Sequence, residues 1–222
     1  MSKIETHLHT AECDKCAHVS AKDIVHLYKN AGYDCIVVTD HSISLFFDWF
    51  GDELQGKSHK EIIHRWLKGY YTAREEGEKI GVTVLPGAEV RFDGTINDYL
   101  VYGLEEDFFY NAPLLNTLKT PEELIKILPS SACVVQAHPF RNKMTVADPT
   151  PLFGIEVHNG GTDPFRNEMA RIFAEHYGKP MLSGSDFHQE SHLARGGILC
   201  EEVIKTPADL SNLLRSGKYS LL

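Results

Sequence analysis

Histidines and carboxylates recur in this sequence at positions that could gather metal ions. His7 and His9 alternate in THLHT, Asp40 and His41 adjoin in VVTDHS, and Glu89 stands in LPGAEV. His138 follows in VVQAHPF, His158 in GIEVHNG, and Asp186 with His188 in LSGSDFH. Each group closes a short apolar run rich in β-branched residues. Alternate residues of a strand share a face, so the rings of His7 and His9 point the same way. Imidazoles and carboxylates that converge can hold several divalent cations, and one carboxylate can bridge two of them. A single histidine at a strand end is ordinarily a hydrogen-bonded structural residue. Six strand ends that all supply His, Asp or Glu are not. His26, His59, His64, His176 and His192 fall on helices or in loops and read as solvated or partly buried side chains.

The elements that must position these groups are legible. Seven strands are expected at Ile4–His9, Cys35–His41, Val82–Val90, Tyr99–Leu104, Ala132–His138, Gly154–His158 and Met181–Ser185. Helices are expected from Ser20, from about His59 to Ile80, from Thr120-Pro121, from Pro164 to Tyr177 and from Pro207 to Leu214. Strands alternating with helices imply parallel βαβ units, and seven strands in a chain of 222 residues suit a closed barrel. Active-site residues of such a barrel gather at the carboxyl ends of its strands. No glycine-rich phosphate loop follows a strand, which counts against a doubly wound nucleotide-binding fold.

Composition narrows the class. The chain is 42% hydrophobic and 24% charged, ordinary for one globular domain spanning residues 1–222. Its formal charge of −9 argues against a sequence-independent grip on long nucleic acid. No apolar run approaches the ~20 residues of a membrane helix, and MSKIETHLHT lacks the layout of a signal peptide. A cytoplasmic location with no membrane partner is expected. Of five cysteines, Cys35 and Cys133 lie in strand-like apolar runs, and Cys13 with Cys16 form a C-x-x-C lacking the second pair of a structural zinc site.

Taken in order, H-x-H, T-D-H, the glutamate of GAEV, the H-P of QAHPF and the D-x-H of SGSDFH resemble the PHP (polymerase and histidinol phosphatase) domain family. The motifs span residues 7 to 188. The resemblance implies an α/β fold, a distorted (β/α)7 TIM-like barrel, holding two or three divalent ions of manganese, iron or zinc. By motif, His7, His9, Glu89 and Asp186 would bind the first metal, with Glu89 bridging to a second held by His138. His41 and His188 would bind a third. The family's remaining ligand to that third metal lies shortly after H-x-H. Here the candidates are Glu12, Asp14 and His18, of which Glu12 or His18 is favoured, and a Cys13 or Cys16 thiolate is a further option. Many members also supply a histidine near the fourth strand, where this chain has none between Asn97 and Glu106. Asp98 could substitute, or His158 could reach across.

The expected activity is hydrolysis of a small-molecule phosphate monoester by a metal-bound hydroxide. Arg141, Arg195 and His158 would contact substrate, the arginines matching phosphate oxygens with their forks. Asp40 would orient the neighbouring ligand as a supporting carboxylate. Phe46, Phe47, Trp49 and Phe50 are too apolar for a solvated loop, and would either wall the pocket or pack on the following helix. Rival readings are a phosphodiesterase or nuclease acting on nucleotides or short oligonucleotides, a metal-bound regulatory domain without turnover, and an amidohydrolase.

Overall fold

A computed structural model describes residues 1–222. Eleven strands alternate with eight α-helices. In chain order they begin with β1 (Ser2–Leu8), α1 (Ala21–Asn30), β2 (Cys35–Val38), a two-residue β3 (His41–Ser42), α2 (Leu45–Leu54), α3 (His59–Trp66) and α4 (Lys68–Ile80). Next come β4 (Thr83–Pro86), β5 (Ala88–Val90), β6 (Tyr99–Tyr102), α5 (Glu106–Asn111), α6 (Pro121–Ile127) and β7 (Cys133–Gln136). The chain ends with β8 (Gly154–Asn159), α7 (Pro164–His176), β9 (Met181–Gly184), β10 (Ile198–Cys200), α8 (Pro207–Ser216) and β11 (Tyr219–Leu221). No helix is long and apolar enough to cross a membrane.

The strand pairing divides between two sheets instead of running as one continuous sheet. One sheet runs β11-β10-β1-β2-β4 and the other β3-β5-β6-β7-β8-β9. β6 is antiparallel to both of its neighbours, and the Arg91–Asp98 connection from β5 contains no helix to carry the chain back for a parallel pairing. The two C-terminal strands, β10 and β11, extend the first sheet in antiparallel fashion and were not expected. At Gly87 the chain passes from the first sheet to the second. A Cβ there would sit 2.9 Å from Val37 Cγ1 and 3.1 Å from the Val101 carbonyl, so the crossing requires glycine. On the opposite side, His9 N–H donates to Phe187 O at 3.0 Å and Phe187 N–H to His7 O at 3.2 Å. The ends of β1 and β9 are thereby held side by side although they belong to different sheets.

Alternation along β2 shows how the layers form. Cys35 and Val37 join a cluster with Leu85, Leu100, Tyr102 and Val135, which lies between the sheets and is packed by Leu210, Leu213 and Leu214 of α8. Ile36 and Val38 face the other way, into a larger cluster with Ile24 and Tyr28 of α1. The single helix expected from His59 to Ile80 is two, divided at Leu67. The aromatic segment after His41 forms α2, with Phe46 and Phe50 buried in the larger cluster. Phe47 and Trp49 pack half-buried against the same cluster, so packing accounts for the segment's composition.

Beneath the strand ends lies Glu5, fully buried on β1. Its Oε1 accepts the N–H groups of Thr6, His7 and Ser185 at 2.9–3.0 Å, and its Oε2 accepts the Tyr28 hydroxyl at 2.9 Å. Burial nevertheless lifts its pKa from 4.5 to about 6. A raised carboxyl value favours the protonated native state, so its contribution is complete below 4.5 and lost as pH rises through about 6. The shift corresponds to about 2 kcal/mol. Between pH 4.5 and 7, Glu5→Gln should therefore gain about 2 kcal/mol relative to wild type in urea unfolding. A difference independent of pH would show that the carboxyl holds no extra proton.

Candidate metal centre

Four ligand atoms meet where the two sheets approach. His7 Nε2 lies 3.1 Å from His9 Nε2, and Glu89 Oε2 lies 3.4 and 3.3 Å from them. Asp186 Oδ1 lies 3.5 Å from both imidazole nitrogens. All four residues are buried. The far nitrogens fix the tautomers, since His7 Nδ1 donates to Glu156 Oε1 at 2.7 Å and His9 Nδ1 to Asp14 Oδ2 at 2.9 Å. Both Nε2 atoms then present lone pairs to each other and to two carboxylate oxygens. Four acceptors in one buried spot repel unless a cation stands among them. Ligands at 2.0–2.2 Å from a tetrahedral ion are separated by about 3.3–3.6 Å, close to the spacing seen. Glu89 Oε2 and Asp186 Oδ1 are also buried without a hydrogen-bond partner. The residues fit a divalent cation.

Charge tells the same story. Burial and the neighbouring His41 press the His9 pKa down, yet hydrogen bonds to Asp14, Asp186 and Glu89 lift it to about 10. Burial would raise Asp186, but His7 and its other histidine neighbours hold it well below the usual carboxylate range. The carboxylates thus demand positive charge at this point, as protons or as metal.

Around the four atoms the site widens. The β3–β5 register sets His41 opposite Glu89, with His41 Nε2 2.9 Å from Glu89 Oε2. His138 Nε2 lies 2.9 Å from Glu89 Oε1, on the other side of the carboxylate, and its Nδ1 is buried and unpartnered. His188 places its ring 4.3 Å from that of His9. His138 and Asp186 both take left-handed backbone conformations, φ 28° and 50°, which non-glycine residues adopt at a cost. Such strain concentrates where function requires a particular side-chain aim.

Several expectations need correction. Neither Glu12 nor His18 joins the cluster, because Glu12 Oε2 caps α1 by accepting Ala21 N–H at 2.8 Å and His18 is exposed. Asp14 takes their place, fully buried, with Oδ2 accepting from both His9 Nδ1 and His41 Nδ1. The thiol of Cys16 lies there too, within 4.8 Å of ligand atoms of Asp14 and His41. Hydrogen bonds from His188 and His41 outweigh the opposing effect of burial and bring that thiol down to about 6. His158 turns away: a register shift after Glu156 leaves its Nε2 on the Arg195 carbonyl at 2.8 Å, outside the cluster's pocket. Asp98 does stand beside His138, 3.9 Å from Nε2, but both its oxygens are held by Arg91 at 2.6 Å.

Asp40 does not orient His41, whose Nδ1 Asp14 already holds. Its oxygens accept Thr10 N–H at 2.6 Å and Thr10 Oγ1 at 2.8 Å, fixing the chain just after His9. Gly69 of α4 packs directly on this pair. A Cβ there would come within 1.9 Å of Thr10 Oγ1 and 2.7 Å of Asp40 Oδ2. Gly69→Ala should therefore cost about 1–3 kcal/mol by overpacking and weaken metal binding as His9 shifts. Thermal melts and metal affinity measure both, and unchanged values for the two would refute this buttress.

The sequence reading missed Glu156 and Asn159. Glu156 Oε2 accepts His138 N–H and Asn159 Nδ2–H, each at 2.9 Å, while Oε1 holds His7. Its signal lies in GIEVHNG, where Glu156 and His158 alternate. Arg91 was missed as well. It lines a pocket of about 590 Å³ with Arg141, Lys143, Arg195, Cys16 and the cluster residues His41, Asp186 and His188. Arg141 reaches Asp186 Oδ2 at 2.9 Å, and Arg195 is exposed at the rim.

Comparison with known proteins agrees with this architecture. Residues 164–219 match the sequence family described as PHP-associated. A two-domain protein from Bacteroides vulgatus, containing a predicted PHP-like metal-dependent phosphoesterase, superposes with a TM-score of 0.67 at 17% identity. That match covers 100% of this chain, which spans only 64% of the relative's length. PsfC from Pseudomonas syringae gives 0.68 at 19% identity, covering 100% of this chain and 91% of the other. An amidohydrolase from Chromobacterium violaceum with bound sulfate and no metal gives 0.57 at 13%, covering 99% and 97%. No curated protein matches the chain significantly. The fold is that of an α/β protein with a buried imidazole-carboxylate centre. Its C-terminal quarter, residues 164–219, is similar to a PHP-associated segment, and the whole chain shares its fold with a protein containing a predicted PHP-like phosphoesterase.

Proposed function

We propose that this protein is a metal-dependent phosphoesterase that hydrolyses a small-molecule phosphate monoester. The observation that carries the reading is the buried acceptor quartet of His7, His9, Glu89 and Asp186, whose Asp186 also lines a pocket shared with Arg91, Arg141, Lys143 and Arg195. A buried set of lone pairs needs cations, and an arginine-rich rim needs an anion. Phosphate esters supply that anion. The pocket's size, about 590 Å³, falls in the range of small-molecule sites.

His7, His9, Glu89 and Asp186 would hold one ion, His138 and Glu89 a second, and His41, His188 and Asp14 a third. Two or three ions of manganese, iron or zinc suit such donors. Bound there, divalent cations neutralise phosphoryl charge and acidify water. Arg141, tied to Asp186, is poised to donate from its fork to two phosphoryl oxygens when that tie loosens. Arg195 and Lys143 add positive charge at the rim, while Glu156 and Asp14 keep the imidazoles aimed. Likeness to the Bacteroides protein supports the phosphoesterase class, and likeness to the Chromobacterium protein makes amide hydrolysis the reading to test against it.

Protein stripped with chelator and reloaded with manganese, iron or zinc should release inorganic phosphate from a panel of monoesters. Stripped protein should not. Ammonia release from amides without phosphate release from esters would overturn the class, and exclusive cleavage of diesters would overturn the monoester assignment.

A further inference from the structure

The loop between β1 and α1 carries a sulfur to the mouth of the metal centre, and the quartet does not account for it. Hydrogen bonds from Ala11 N–H to Val19 O, from Asp14 N–H to Thr10 O and from Ala17 N–H to Asp14 O fold the loop back on itself. His18 N–H ties it to His188 O at 2.8 Å. Cys13 turns into the apolar core, whereas Cys16 is the one cysteine left exposed. Cys16 faces the pocket together with His41 and His188. Its Sγ, a carboxylate oxygen of Asp14 and a ring nitrogen of His41 all lie within 4.8 Å of one another. Asp14 is fully buried, and its Oδ1 has no hydrogen-bond partner although Oδ2 serves two histidines. Sulfur, imidazole nitrogen and carboxylate oxygen thus lie close enough together to form a mixed S, N, O donor set, and Asp14 retains one unpaired buried oxygen.

We propose that Cys16 is a thiolate ligand of the outermost metal position, completing a site with His41, His188 and Asp14. This rests on the metal-centre reading above and specifies which ion its outer position takes. On binding, the S–H bond of Cys16 breaks, a sulfur–metal bond forms, and the proton leaves to solvent. Thiolate and imidazole donors favour zinc or ferrous iron over manganese or magnesium, whose preference is for oxygen. The outer position is therefore selective for softer ions than the carboxylate-rich inner one, and it makes the centre sensitive to thiol oxidation.

Cobalt(II) alone, added to metal-free protein, tests the assignment without reference to turnover. Wild type should develop a sulfur-to-cobalt charge-transfer band in the near ultraviolet, and Cys16→Ser should lack it while retaining cobalt at the inner position by elemental analysis. Alkylation of Cys16 by iodoacetamide, followed by peptide mass spectrometry, needs no variant. Zinc loading should slow it at least ~10-fold, since a coordinated thiolate is a poor nucleophile. A fully metal-loaded wild type with no such band, or with Cys16 alkylated at the metal-free rate, would overturn the thiolate ligand and leave the inner centre standing. A wild type that binds no cobalt or zinc would overturn both.

Discussion

Glu89→Gln should reduce phosphate release by more than ~100-fold and lower the metal content, with the fold retained. The magnitude follows from position. Partners one step removed from a metal typically contribute 10–100-fold to affinity or activity, and Glu89 stands closer than that. Its Oε2 lies within 3.4 Å of ring nitrogens of His7, His9 and His41, and its Oε1 within 2.9 Å of His138. One carboxylate thus joins four imidazoles from three segments of chain. Glutamine keeps the shape but replaces one oxygen by an NH2 group that cannot ligate. It also removes a negative charge from the middle of four imidazoles. Circular dichroism and thermal melts establish that the variant folds, and elemental analysis with kcat/KM measures the rest. Full turnover in a variant with full metal content would remove Glu89 from the centre.

Glu156→Gln should weaken metal binding about 10–100-fold through residues that Glu156 itself only holds. Glu156 accepts on both oxygens, from His7 Nδ1 on one and from His138 N–H and Asn159 on the other. Glutamine has a single acceptor oxygen. It must either release the His7 ring or turn an NH2 group on the His138 backbone N–H. In the first case His7 loses its fixed tautomer; in the second His138 shifts from its strained φ of 28°. Competition with a chromophoric chelator reads the affinity directly. An unaltered affinity would mean that the two histidines are aimed by the backbone alone.

The strand ends were legible because each carries a chemically distinctive residue after an apolar run, and such a pattern survives whatever the strands do next. Sheet topology was not legible in the same way. The antiparallel β6 depends on a helix-free connection between Arg91 and Asp98, and the seam at Gly87 depends on close approach of Val37 and Val101, which are distant in sequence. Within the site, Glu12 or His18 was preferred over the third candidate, Asp14, but a tightly turned loop buries Asp14 and leaves the other two outside. Glu156 and His158 show the same limit, since a one-residue register shift in β8 decides which of them faces the centre. Side-chain chemistry is local in sequence; aim is set by pairing.

Metal content is the most direct test of the central claim. Protein purified without chelator or histidine tag should contain at least two equivalents of manganese, iron or zinc per chain, and Glu89→Gln should contain fewer. A wild-type chain that stays metal-free after reloading at neutral pH would mean that the buried quartet of His7, His9, Glu89 and Asp186 holds protons instead of cations.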